Sequence, residues 1–273
     1  MPNPSSPFVT IDGLSNMRDI GGWAITVDKN STPTTQVRKA ILYRGEDTST
    51  ISDKGVAKLH ELGISIIFDI RSQQQIDRVG GPRELEGIRR VWIPVFGQEE
   101  YTPEKAGLRY QQYAGDGTDG IVQAFTEILV HGGPTTFRTI MLHLASLPPN
   151  TSSRTSATAP TACMMHCTTG NNRSGVFIGV LLSLLGLSPA SIAAEYSLSN
   201  EGLAPTRHSA VARLIKNPVF AAAYGDEAKA RAERMKWGSA QNYFREVCGL
   251  SQDEIKRVRE CLTDKIVDSS KSR

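Results

Sequence analysis

Two rhythms of apolar residues run along the first two-thirds of the chain. Ile64–Ile70 (I-S-I-I-F-D-I) is a short, β-branched run behind Gly63, the pattern of a buried strand. Ala40–Arg44, Arg90–Val95 (ending near Pro94) and Thr161–Cys167 have similar strand character. Between them the apolar spacing widens to that of helices. Ser52 caps a helix predicted over Asp53–Leu62 that Gly63 stops. Ile121–Val130 and Thr136–Leu147 follow, the latter closed by Pro148-Pro149. Arg173–Leu185 is an apolar helix with Gly186 at its end, and Ser188-Pro189 opens the next as N-cap and first helical residue. Helical spacing continues over Ala204–Val247, and Ser251-Gln252-Asp253-Glu254 is a capping box for a last helix to about Leu262.

Strands alternating with helices, then helices alone, predict an α/β fold. The sheet is expected to be central, mixed or mostly parallel, flanked by helices, with a helical C-terminal part. Pro148–Pro160 is rich in Ser, Thr and Pro, which predicts a flexible loop, and Ser269–Arg273 reads as a frayed tail. The strand after the long loop must join the earlier strands, so residues 1–273 are read as a single domain. No internal repeat is visible.

Composition narrows the function little. With 39% hydrophobic and 22% charged residues the chain has the make-up of an ordinary globular protein. A net charge of +3 is too weak for a nucleic-acid stripe but suits an anionic substrate if focused in one cleft. The longest apolar run, Val176–Leu187, is too short to span a bilayer, and the N-terminus lacks a secretory pattern, so a cytoplasmic location is expected. Cys163, Cys167, Cys248 and Cys261 match no zinc spacing and are read as reduced thiols; Cys163, Cys248 and Cys261 are expected to be buried hydrophobes. No metal or other cofactor is expected.

The segment that carries chemistry is His166-Cys167-Thr168-Thr169-Gly170-Asn171-Asn172-Arg173-Ser174-Gly175, between a strand and a helix. A helix N-terminus offers unpaired N–H groups and partial positive charge to a phosphate. Gly170 allows the backbone to turn N–H groups inward. A cysteine in that field has its pKa lowered, and the Arg173 fork binds two phosphate oxygens. Ser174 is placed to donate to the thiolate or a leaving group, and His166 to orient the loop. Cysteine and arginine six positions apart recur by chance; the flanking His, Gly and Ser-Gly in a strand–loop–helix context do not.

That segment resembles the protein tyrosine phosphatase loop. Asn16-Met17-Arg18-Asp19-Ile20-Gly21-Gly22, Leu42-Tyr43-Arg44-Gly45 and Phe68-Asp69-Ile70-Arg71-Ser72 resemble the N-F-R-D-L-G-G, L-Y-R-S and D-L-R-S pieces of the tyrosine/serine phosphatase family of bacteria and fungi. Glu195–Asn200 and Gly249-Leu250-Ser251 add to the likeness, which covers most of residues 10–265. It implies a phosphotyrosine phosphatase-like fold. It also implies a two-step hydrolysis of phosphomonoesters in which Cys167 forms a phosphocysteine and Arg173 and the loop amides stabilise the equatorial oxygens. The expected substrate-binding set is His166, Thr168, Thr169, Gly170, Asn171, Asn172 and Ser174, with Arg44 read either as lining the cleft mouth to attract phosphate or as half of a surface ion pair.

The family's bacterial loop often reads H-C-x-A-G-K-D-R, with Lys and an acid-acting Asp where this chain has Asn171 and Asn172. The proton for the leaving oxygen must then come from elsewhere. Asp69, at a strand end, is the first candidate; Asp116 and Asp119, in a Gly-rich loop, and Asp47 follow. An ion pair with Arg71 or Arg18 is the bland alternative for Asp69, and Arg18–Asp19 reads as a structural pair. A substrate with a good leaving group would need no acid. The partner is a phosphorylated protein or a small-molecule phosphate: a metabolite phosphate, a prenyl diphosphate or an inositol phosphate. A non-catalytic phosphate-binding module is the competing class.

Overall fold

Alternation along the strands divides the core in two. In the strand Ala162–His166, Cys163 and Met165 face a large cluster with the C-terminal helices, while Ala162 and Met164 face a smaller one with the N-terminal segment. Phe68 and Ile67 divide in the same way one strand over. The computed structural model describes residues 7–25, 33–114, 118–148, 162–206 and 239–266.

The central sheet has five strands in the order β1 (Arg18–Asp19), β4 (Leu42–Gly45), β7 (Ala162–His166), β5 (Ile64–Asp69) and β6 (Arg89–Trp92). The pairings β4–β7, β7–β5 and β5–β6 are parallel and β1–β4 is antiparallel, the mixed, mostly parallel α/β sheet expected. Tyrosine phosphatase-like in this layout, it brings the C-terminal ends of β4, β5 and β7 together, where ligands of parallel sheets gather. A second sheet of β2 (Ala24–Ile25), β3 (Thr35–Val37) and β8 (Thr263–Lys265) ties the N-terminal part to the chain's far end. Strands of two and three residues leave no period in the sequence, which is why this sheet was not foreseen.

Helices α1 (Asp53–Glu61), α2 (Gln73–Asp77), α3 (Pro103–Ala114), α4 (Asp119–Gly132), α5 (Arg138–Ser146), α6 (Asn172–Leu185), α7 (Pro189–Gly202), α8 (Ala240–Glu246) and α9 (Gln252–Leu262) surround the sheet. Ser52 accepts from Gly55 N–H, Ser188 from Ser191 N–H and Ser251 from Glu254 N–H, so three expected caps are in place. Helix α6 is buried on nearly every side, packed among α4, α7, α8 and α9. No described helix is long and apolar enough to cross a membrane.

Three expectations change. The helix expected over Thr136–Leu147 begins as a π-turn at Gly133–Phe137 and runs on as α5. Strand β6 stops at Trp92, before Pro94. Arg18 does not pair with Asp19: its guanidinium turns inward to Glu195, while Asp19 accepts from the N–H groups of Gly21 and Ala40. The loop expected at 148–160 lies, from residue 149, outside the described residues, as do Asp116, the tail 269–273 and most of the helical stretch expected over Ala204–Val247.

Candidate active site

The segment after β7 closes into a ring because its carbonyls are taken from outside. Asp47 N–H donates to the Thr168 carbonyl (3.1 Å) and Asn16 Nδ2 to that of Thr169 (2.9 Å). Arg44 donates to Gly170 O from Nε (3.1 Å) and Nη2 (2.6 Å), and to Asn171 O from Nη2 (3.0 Å). In a trans peptide the C=O and the following N–H point opposite ways. Four carbonyls drawn outward therefore turn the N–H groups of Thr169, Gly170, Asn171 and Asn172 inward. Gly170 has φ +68°, and a Cβ there would lie 2.1 Å from the Gly45 carbonyl oxygen, so only glycine fits. Asn171, the N-cap of α6, makes no side-chain cap bond, which leaves the first turn's donors facing the ring.

Behind the ring stands a buried ion cluster. Glu195 of α7 receives Arg44 Nη1 on one oxygen (2.7 Å) and Arg18 Nε on the other (2.9 Å). Arg18 also reaches Asn16 Oδ1 (2.6 Å) and Ser199 Oγ (3.0 Å). All three ionic side chains are excluded from solvent. Removing any one member would strand a charge in the interior.

Cys167 sits at the start of the ring, 2% exposed. Burial alone would push its thiol up. The Arg173 guanidinium, the Ser174 N–H and hydroxyl and the Gly170 N–H outweigh that and hold it below the ordinary thiol range. Ser174 Oγ is buried and has no other hydrogen-bond partner. The other three cysteines are buried and free, and burial pushes Cys163 and Cys248 up to about 12. Only Cys167 has the surroundings of a nucleophile.

Arg173, the last residue of the ring, donates from Nη1 to Gln75 Oε1 at 2.6 Å. Gln75 Nε2 in turn donates to Thr168 Oγ1 at 2.7 Å, so α2 braces both ends of the ring. Aromatic side chains form the wall above: Tyr101 lies under the Arg173 guanidinium (5.8 Å), and Phe125 stands between Tyr113 and Tyr196. Tyr196 donates to Asn172 Oδ1 at 3.5 Å. Burial pushes Tyr113 up to about 12.

Several expected roles change on this geometry. Arg44 is wholly buried on the outer side of the ring, a loop support and not a cleft-mouth phosphate ligand. His166 is also wholly buried; its Nδ1 lies 3.0 Å from the Cys167 carbonyl oxygen and 3.9 Å from Asp69 Oδ1, and burial draws its pKa below the ordinary imidazole value against the pull of Asp69, a placement suited to orienting the backbone. Asp69 is a saturated carboxylate. Its Oδ1 accepts from Arg71 N (3.1 Å) and Nε (2.9 Å), and its Oδ2 from Arg71 Nη2 (2.8 Å) and Arg90 Nη2 (2.7 Å). Burial would raise it, but His166 and the two guanidiniums hold it well below the usual carboxylate range. A carboxylate that stays ionised and fully engaged has no proton to give. Asp47 pairs with Arg71 (3.0 Å) and accepts from Ser49, and Asp119 is exposed at the start of α4. Thr168, Thr169, Gly170, Asn171, Asn172 and Ser174 do come together around Cys167 and Arg173. Gln75 was missed, although Ser72-x-x-Gln75 has the spacing of a capping box and its Oε1 does reach back to Ser72 N–H (3.2 Å).

The sequence model described as "Tyrosine phosphatase family" matches residues 9–264. The chain belongs to the tyrosine phosphatase family. A tyrosine phosphatase-type phosphoric monoester hydrolase, it is 26% identical over 271 residues to a protein of Cupriavidus necator whose name places it among tyrosine-protein phosphatases, covering 91% of this chain and 86% of that one. The triple specificity protein phosphatase PtpB of Mycobacterium tuberculosis is 23% identical over 228 residues, 76% of this chain and 74% of the relative. The ring and its braces lie within the matched region of this tyrosine phosphatase family member.

Proposed function

We propose that the chain hydrolyses aryl phosphomonoesters, phosphotyrosine-like in shape, through a phosphocysteine on Cys167. The observation that carries the reading is the thiolate-favouring ring: four outward carbonyls, inward amides and a guanidinium around one sulfur. In the first step the Cys167 thiolate attacks phosphorus. An S–P bond forms, the P–O bond to the leaving group breaks, and its electron pair leaves with the oxygen. Charge on the three equatorial oxygens meets the loop N–H groups and Arg173. In the second step water attacks phosphorus, the S–P bond breaks, and inorganic phosphate and the thiolate are released.

The described carboxylates packed against the ring are each ion-paired: Asp47, Asp69 and Glu195. Such a site favours a leaving oxygen that departs without a carboxylic acid, which is an aryl oxide in preference to an alkoxide.

The test is turnover of an aryl phosphate against an alkyl phosphate, with acid-quench mass spectrometry to trap a phosphate on Cys167. The reading expects faster aryl turnover, an 80-dalton class adduct on the peptide carrying Cys167, about the mass of one phosphoryl group, and no turnover in Cys167→Ser. Phosphate binding without turnover in the wild type would instead identify a non-catalytic binding module.

A further inference from the structure

Each carboxylate beside the phosphate ring is paired with an arginine other than Arg173. Asp47 and Asp69 hold Arg71, Asp69 also holds Arg90, and Glu195 holds Arg18 and Arg44. The arginine that faces the substrate takes a neutral partner, Gln75, which is 8% exposed. The orientation of that amide follows from its neighbours. Two donors, Arg173 Nη1 (2.6 Å) and Ser72 N–H (3.2 Å), face Oε1, and an acceptor, Thr168 Oγ1 (2.7 Å), faces Nε2. One side chain therefore fixes the guanidinium, ties it to the first residue after the nucleophile and adds no negative charge of its own beside it.

We propose that Gln75 is a positioning residue for Arg173, and that its neutrality makes the ring prefer doubly charged tetrahedral anions, the product phosphate included. This rests on reading the ring as the phosphate site. A guanidinium paired with a carboxylate presents a dipole to the incoming anion, whereas one held by an amide presents a full charge, and the difference grows with the charge of the ligand. Glutamate at this position would keep the acceptor for Arg173, lose the donor to Thr168 and add a negative charge against the site.

The experiment uses the full chain as wild type, Gln75→Glu and Gln75→Met. Titration calorimetry at a fixed pH of about 8 compares inorganic phosphate, there a dianion, with methanesulfonate, a monoanion of similar shape; steady-state turnover of an aryl phosphate is measured in parallel. The wild type binds phosphate more tightly than methanesulfonate. Gln75→Glu weakens phosphate by about tenfold or more and methanesulfonate by clearly less. Gln75→Met, neutral and of similar length, keeps the preference for the dianion but lowers kcat by about tenfold with little change in KM, because the guanidinium loses its brace. Equal affinities for the two anions in the wild type overturn the charge preference, as does a Gln75→Glu variant that binds both within about twofold of wild type. Wild-type kcat in Gln75→Met overturns the positioning role. Should Gln75→Glu lack a folded circular-dichroism spectrum, the wild-type anion comparison and Gln75→Met still decide both parts. Anion binding as described with no turnover in the wild type would leave the charge preference standing and remove the hydrolase mechanism together with the positioning role that kcat reads.

Discussion

Arg44 Nη2 lies 2.6 Å from the carbonyl oxygen of Gly170, on the side of the ring away from the sulfur. The same guanidinium holds Glu195 through Nη1 at 2.7 Å, so one residue spans the loop and the ion cluster behind it. Arg44→Met removes both links. It leaves Glu195 with Arg18 alone and the Gly170 carbonyl without a donor, while that of Asn171 keeps the Gly175 N–H. A broken buried ion pair costs about 3–5 kcal/mol, and urea unfolding should show a loss in that range. Surviving folded protein should show kcat/KM lowered by about tenfold or more, since the inward amides depend on that hold. Wild-type stability in Arg44→Met would remove the loop-support role.

Asp69→Asn separates an acid from an anchor. An acid role predicts loss of the alkaline limb of the pH–rate profile. The saturated geometry predicts instead an unchanged alkaline limb and a drop in stability of about 3–5 kcal/mol at neutral pH, because Arg71 and Arg90 keep their charge with nothing between them. The folded carboxyl titrates below its ordinary 3.8. Its contribution is therefore complete above that value and is lost as pH falls from about 4 through the folded pKa. Urea unfolding across that window should show a steeper acid-side loss in the wild type than in Asp69→Asn.

Ser174→Ala tests the thiolate. The proposed phosphocysteine mechanism needs Cys167 ionised, and so predicts that kcat/KM rises with pH through the pKa of the free enzyme's thiol. Arg173, Ser174 and Gly170 hold that value below the ordinary range of 9.0 against the upward push of burial. Removing the hydroxyl should move the acid limb to higher pH, and thiol alkylation rates at neutral pH should fall in step. An acid limb that stays in place would show that Ser174 acts elsewhere.

Gly170→Ala should be severe at a single methyl's cost in volume. The backbone there has φ +68°, and the new carbon would meet the Gly45 carbonyl at 2.1 Å. The ring must open to relieve the contact, and turnover should drop about a hundredfold or more. Thermal unfolding, read alongside, should show a far smaller relative change, because the strain is confined to the loop. Near-normal turnover would mean that the ring tolerates another path.

The parallel strands of the central sheet, the capped helices and the Cys167–Arg173 motif were legible in the sequence, because each leaves a pattern within one turn or one strand. Ser52, Ser188 and Ser251 cap the helices they were expected to cap. What stayed hidden is long-range. Arg18 reads as a partner for Asp19 next door, yet it crosses to Glu195. Arg44 reads as a cleft residue because it ends a strand, but its side chain turns under the loop. Asp69 ends a strand in the place where ligand-binding residues collect, and only the arrival of Arg90 from the neighbouring strand shows it to be spent. Gln75 gave only a local signal, that of a helix cap, while its second task depends on Arg173 arriving from another helix.

The ring has no hold of its own on its shape. Its donors arrive from Asn16, 153 residues away from Thr169, from Arg44, 126 residues away from Gly170, and from the backbone of Asp47. A peptide copied from His166 to Gly175 would thus be an ordinary flexible decamer with an ordinary thiol. Phosphatase competence therefore depends on the N-terminal segment, where Asn16 holds the Thr169 carbonyl and Arg18 completes the ion cluster that carries Arg44.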